Sequence, residues 1–84
     1  MVSVKLRILL FGKVSDRFGR QIEAAIPEAG CTLGELRRLI AAQTGDEVLL
    51  QKGVRASIDR QVAVDDAFVR PGAEVAFFSV FSGG

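Results

Sequence analysis

Residues Val4 to Phe11 alternate, with Val4, Leu6, Ile8 and Leu10 on one side and Lys5, Arg7, Leu9 and Phe11 on the other. A period of two predicts a strand with one buried face, and its second face turns apolar towards Phe11. Gly12 to Gly19 breaks the alternation and reads as a loop with a helical turn around Ser15 to Phe18. Alternation returns from Arg20 to Ile26 through Ile22, Ala24 and Ile26, and Pro27 ends it. The two strands are close enough in sequence to form an antiparallel hairpin.

The period then lengthens. Leu33, Leu36, Leu39 and Ile40 fall on one stripe of a helix, with Glu35, Arg37 and Arg38 largely outside it. Thr32-Leu33-Gly34-Glu35 fits a capping box, in which the threonine hydroxyl takes the Glu35 backbone N–H and the carboxylate reaches back. Gly45, after Thr44, suits the left-handed position that ends a helix. Cys31, just before the cap, is placed to pack on Leu36 as a hydrophobic staple. A reactive thiol is the lesser reading, because no histidine is present to activate it.

A less regular stretch, Asp46 to Gly53, leads to Val54–Ile58, an Asp59-Arg60 turn and Gln61–Val64. Asp65 to Arg70 reads as a loop whose Phe68 and Val69 plug the core. Pro71-Gly72 turns the chain into a last strand, Glu74 to Phe81. There Val75, Phe77, Ser79 and Phe81 oppose Ala76, Phe78 and Val80, so both faces carry apolar residues. Strands before and after one main helix predict an α+β fold, a mixed sheet with the helix packed across one face. The β-grasp arrangement of ubiquitin, with first and last strands parallel in the centre, is the expected topology. One domain, 1–84, is expected, with a flexible tail at 81–84.

Composition removes most catalytic chemistry. The chain has 84 residues with no histidine and one cysteine. That excludes a Ser-His-Asp or Cys-His site, a cysteine/histidine zinc cluster and an internal disulfide, so no metal is expected. A formal charge of +1 argues against nucleic-acid binding, and no run approaches the ~20 apolar residues that span a bilayer. A cytosolic, non-membrane protein is the expectation. Gly12-Lys13 fails as a phosphate loop, because Arg7 stands where the first glycine belongs and Val14 where Ser or Thr belongs. Lys5, Arg7, Lys13, Arg17 and Arg20 outnumber Asp16 in the first twenty residues. This surplus reads first as a solvated edge and second as a face for an acidic partner. Asp46-Glu47 and Asp65-Asp66 read as turn and loop residues.

Two features remain as candidate chemistry. Phe78, with Phe11 from the neighbouring strand, forms either an exposed partner patch or part of a core wrapping both faces. The sequence then closes on Ser82-Gly83-Gly84. Phe81 to Gly84, extended, would reach roughly 13–14 Å at ~3.3–3.6 Å per residue. Glycines without a β-carbon can thread a narrow channel, and the group so delivered is the Gly84 α-carboxylate. Simple fraying is the alternative.

Here the residues resemble a family. Lys5-Leu6-Arg7-Ile8-Leu9-Leu10-Phe11-Gly12, Asp16-Arg17-Phe18-Gly19, Thr32-Leu33-Gly34-Glu35-Leu36-Arg37-Arg38 and, most specifically, Pro71-Gly72-Ala73-Glu74-Val75-Ala76-Phe77-Phe78 with Ser82-Gly83-Gly84 carry the likeness. It is to the MoaD/ThiS-like ubiquitin-related sulfur carriers, and among them to the small subunit of molybdopterin synthase. Ser79-Val80 replaces a proline pair frequent in that family, and Asp59 stands where an asparagine is common.

The resemblance implies that the Gly84 carboxylate is adenylated with ATP by an E1-like activating enzyme, then converted to a thiocarboxylate with sulfur from a persulfide donor. It further implies that Ser82 and Gly83 thread the tail into a large subunit, where sulfur passes to the pyranopterin precursor of the molybdenum cofactor. Phe11, Val62, Phe78 and Phe81 would bind that subunit. No cofactor would be bound, and the chain would not be an enzyme alone. The alternatives are a carrier for thiamine or cysteine biosynthesis, or a ubiquitin-like interaction or modifier protein.

Overall fold

The computed structural model describes residues 2–79. Strand β1, Ser3–Phe11, extends the predicted strand by one residue, and Gly12, at φ +69°, turns the chain into a short 3-10 turn, Gly12–Val14. Helix α1 is the single turn Ser15–Phe18. Strand β2, Gln21–Pro27, pairs antiparallel with β1, with Ile8 opposite Ile22 and Ser3 opposite Pro27. The predicted hairpin is present, and Pro27 is its last paired residue instead of lying beyond it.

A two-residue strand, β3 (Cys31–Thr32), leads into α2, Leu33–Thr44. The capping box is complete: the Glu35 backbone N–H donates to Thr32 Oγ1 at 3.1 Å, and the Thr32 backbone N–H donates to Glu35 Oε1 at 2.8 Å. The next orphan donors of the helix start are also satisfied, since Leu33 N–H meets Ala67 O at 2.8 Å and Gly34 N–H meets Asp65 O at 3.0 Å. Gly45 ends the helix at φ +75°, as its position predicts.

After the turn Val48–Leu50 come β4, Val54–Ile58, and β5, Gln61–Ala63. They form an antiparallel hairpin around Asp59 and Arg60, whose φ angles are +52° and +71°. Such a pair of left-handed residues gives the turn twist that matches the strands. Strand β6, Phe68–Val69, pairs with β3, and β7, Val75–Ser79, is the last strand. The prediction carried that strand on to Phe81, and Val80 and Phe81 lie outside the described residues.

The main sheet runs β2-β1-β7-β4-β5, with β1 and β7 parallel at its centre. This is the ubiquitin-like β-grasp fold, with α2 packed across one face. The core between them holds Leu6, Ile8, Leu10, Ala24, Ile26, Leu33, Leu36, Ile40, Val75 and Phe77.

Two sequence expectations fail. Phe68 does not plug the core: it is 55 % exposed while Val69 is fully buried. Consecutive strand residues point to opposite sides, so pairing β6 with β3 admits only one of them. Phe68 instead covers Gly30, where a β-carbon would lie 2.5 Å from its ring. Arg37 does not lie outside the helix stripe but is buried. Its Nη1 donates to Leu49 O at 2.6 Å and Val54 O at 2.9 Å, and its Nε donates to Asp65 Oδ1 at 2.9 Å.

Candidate functional site

The helix-free face of the sheet is built from the outward residues of each strand. Register places Phe11 on β1 beside Phe78 on β7, and Arg55 on β4 beside Phe78 on its other flank. The adjacent row runs Leu9, Ala76, Ser57 and Val62. Residues opposite one another in register share a face, so both rows look away from α2.

Of the predicted partner residues, Phe11 and Phe78 are brought together. Phe11 is 55 % exposed, and Phe78 is half-buried beside it. Phe77, next in sequence, points the other way and is fully buried. Of the two readings of Phe11 with Phe78, their exposure fits the open apolar surface, while the core is filled from the other face by Phe77. Val62, 71 % exposed, shares the face but sits on the edge strand β5. Ala76 and Ser57 separate it from Leu9, so it is two strands, about 10 Å, from β7. Phe81, Ser82, Gly83 and Gly84 lie outside the described residues.

The base of the tail is well anchored. Gly12 follows the end of β1 and lies against Ser79 at the end of β7; a β-carbon there would make only ordinary contact with Ser79 Oγ at 3.4 Å, and it is the backbone, at φ +69°, that favours glycine. At the opposite end of β7, Asp59 ties the β4–β5 turn to the strand's start. Its Oδ1 accepts the Glu74 backbone N–H at 3.0 Å, its own N–H donates to Glu74 O at 2.7 Å, and Arg70 Nη2 donates to its Oδ2 at 3.1 Å. The Glu74 N–H, with the Arg70 bond second, holds the Asp59 carboxyl below its usual value. Sequence reasoning missed this role. The signal was an aspartate at the first of two left-handed turn positions, where its short side chain can reach backbone N–H groups.

The other sequence candidates take structural places. Cys31 is buried with Leu36 in the same core, as a staple requires. Burial first, then the Glu35 charge, pushes its thiol up, so the neutral form is favoured. The cations of the first twenty residues scatter: Lys5 and Arg7 point to the open face, and Arg17 pairs with Asp46 at 2.9 Å. Among the described residues no group of three or more His, Cys, Asp or Glu is placed to hold a metal, and no helix is long and apolar enough to cross a membrane.

An open apolar sheet face beside a β-grasp strand that runs on to a glycine pair defines a ubiquitin-like small protein. The sequence model of the ThiS family matches residues 8–84, and the chain belongs to that family. Its members are ubiquitin-like sulfur carriers or modifiers, which work with E1-like activating enzymes and partner enzymes. No curated protein matches the sequence. Among solved structures, SAMP1 from Haloferax volcanii is similar with a TM-score of 0.75 at 17% identity, over 96% of this chain and 100% of that one. A crystal structure of H. volcanii small archaeal modifier protein 1 gives 0.71 at 14% identity, over 89% and 95%. At these identities the likeness is one of fold.

Proposed function

We propose that this protein is a sulfur carrier acting as the small subunit of molybdopterin synthase. The observation that carries the reading is the pairing of Phe11 with Phe78 on the open face, on the strand that leads into Ser82-Gly83-Gly84. The family match over residues 8–84 supports the carrier role, and the sequence resemblance supports the pathway.

The chemistry follows from the carboxylate. Its charge and resonance make it a poor electrophile, so the Gly84 carboxylate first attacks ATP on an E1-like enzyme, giving an acyl-adenylate and pyrophosphate. A persulfide sulfur displaces AMP, and a thiol then cleaves the S–S bond to leave a terminal thiocarboxylate. That group is anionic at neutral pH and strongly nucleophilic through sulfur. Ser82 and Gly83 carry it into the large subunit, which supplies the acid and base groups for attack on the pyranopterin precursor. Phe11, Phe78, Val62 and Phe81 hold the two subunits together, and the chain itself binds no cofactor.

Incubation with ATP, the activating enzyme and a persulfide donor, followed by intact-mass measurement, tests the carrier role. Exchange of one oxygen for sulfur at Gly84 is the expected result. An unchanged mass, with partner binding indifferent to deletion of Gly84, would sink it. Conversion of the pyranopterin precursor by the thiocarboxylated protein with large subunit then tests the pathway, and failure there would favour thiamine or cysteine biosynthesis. A second reading, a protein modifier joined through Gly84 to lysines, draws on the fold shared with small archaeal modifier protein 1. Isopeptide-linked adducts without sulfur exchange would select it.

A further inference from the structure

Between the first turns of α2 and the start of β4 lies a groove of about 400 Å³. Its floor is fixed. Strand β5 pairs with β4 only from Ala56 to Ile58, so Val54 has no strand beside it on that side. The Arg37 guanidinium takes the strand's place, donating to Val54 O and Leu49 O, while Val54 N–H meets Gln51 O at 3.1 Å. The connection 48–53 is thereby pinned against the helix.

Three more cations line this groove: Arg38 from α2, Lys52 from the connection and, at the rim where β4 turns its open face, Arg55. All three are exposed, and none is in an ion pair among the described residues. The carboxylate in the groove, Asp65, is already held by Arg37. Leu50 and Val64, 43 % and 71 % exposed, add apolar surface to the walls. With Asp65 held by Arg37 and Glu35 beside Arg38, the cleft keeps a surplus of cations, and that surplus sets up a field that favours an anion. The apolar walls favour one carried on a chain that also has hydrophobic side chains.

We propose that this groove docks an acidic segment of a partner protein, with carboxylates facing Arg38, Lys52 and Arg55 and an apolar side chain set between Leu50 and Val64. Because Arg37 fixes the floor beforehand, little of the groove need be ordered on binding. A nucleic-acid strand fits less well, since it needs a long cationic track and the whole chain carries only +1. The site does not include the Gly84 tail, and it meets the Phe11–Phe78 pair only at its rim, where Arg55 flanks Phe78.

The test uses the full chain and two short fluorescein-labelled peptides. One alternates Glu or Asp with Leu and Val, and the other has every acid replaced by Gln or Asn. Anisotropy should show the acidic peptide binding and its affinity falling with added salt. Double reversal by Arg38→Glu with Lys52→Glu should weaken binding by about tenfold or more. The milder pair Arg38→Gln with Lys52→Gln should give a smaller loss in the same direction, and amide NMR spectra verify that each variant is folded. In labelled wild-type protein the shifts should centre on Gly34, Lys52, Arg55 and Val64. The proposal is overturned by failure of the acidic peptide to bind, by equal binding of the neutral peptide, by variants that bind like wild type, or by shifts centred on Lys5, Arg7 and Lys13. Displacement of the peptide by inorganic pyrophosphate at equal affinity would also overturn it, making the groove a small-anion site.

Discussion

The guanidinium of Arg37 stands 5.3 Å from the ring centroid of Phe77. One side chain of α2 thus covers the largest buried residue of the central strand and also reaches two backbone carbonyls that no strand satisfies. The ring's negative face favours a cation there, and the planar fork suits two acceptors better than a lysine would.

Removal of that fork leaves Leu49 O and Val54 O buried without donors, at ~1–3 kcal/mol for each unsatisfied group. Arg37→Leu should therefore lower unfolding stability by roughly 2–6 kcal/mol, Asp65 being exposed enough to return to water. Arg37→Lys should lose less, since it keeps the charge but has one point donor in place of the fork. Urea unfolding of the three proteins checks the order. A loss below ~1 kcal/mol in the leucine variant would mean that water replaces the guanidinium.

Gln43 closes the other side of the sheet. Its Nε2 donates to Ala25 O at 2.8 Å and its Oε1 accepts Ala25 N–H at 2.9 Å, so one amide mimics a neighbouring strand's peptide on the edge strand β2. Gln43→Ala should cost about 1 kcal/mol. It should also uncover an edge able to pair with a second copy, so light scattering should show more concentration-dependent association than in wild type. An unchanged monomer with unchanged stability would leave Gln43 with no such role.

The legibility of these features follows their range. The Thr32–Glu35 capping box, the Gly45 stop and the Asp59-Arg60 turn depend on residues a few positions apart, and each was readable in sequence. The alternation of β1 and β7 also announced which residues would share a face, though not that the Phe11–Phe78 face would be open. Arg37 was misread because its acceptors at Leu49 and Val54 come together only when the connection folds back on α2. Phe68 was misread because its pairing with Thr32 is made between segments far apart in sequence and leaves only Val69 facing inwards. Val62 entered through the family resemblance, and neither that nor alternation along one strand tells how many strands separate it from Phe78.

Acid should weaken the fold through two carboxylates held below their usual range. Glu35 is lowered by the Thr32 backbone N–H first and its hydroxyl second, and Asp59 by the Glu74 N–H first. For a depressed acid, stability is fully present above its unfolded pKa and is lost as pH falls through the folded one. Urea midpoints should therefore change little in these groups from neutrality down to about pH 5, then decline below about pH 4. Asp59→Asn keeps an acceptor for Glu74 N–H without a titrating charge and should flatten part of that decline. Glu35→Gln should do the same at the helix start. Identical acid limbs in all three proteins would mean that neither carboxylate contributes.

Cys31 should resist modification while the fold is intact. Its side chain is buried, and its thiol is pushed up by burial and by Glu35, so little thiolate exists at neutral pH. Iodoacetamide labelling followed by mass measurement should be far slower in native protein than in urea, where the rate should approach that of a free cysteine. Equal rates would show that the segment before α2 opens readily.

The Phe11–Phe78 pair sets the expected pattern of partner binding. Phe78→Asp removes a ring that is half-buried even in the free protein, so it should cost about 1 kcal/mol of stability. If the proposed function holds, binding to the large subunit should weaken by ~2 kcal/mol or more, the loss expected when a central aromatic anchor is truncated. Phe11→Asp, at a more exposed position, should leave stability nearly unchanged and weaken binding similarly. Val62→Asp, at the edge strand, should have a smaller effect, because anchors near the rim of an interface contribute less than those at its centre. Calorimetric titration with the large subunit, beside urea unfolding of each variant, separates the two quantities. If Phe78→Asp unfolds the protein, that side chain belongs to the core; if Val62→Asp weakens binding most, the interface centres on β5 instead of on β1 and β7.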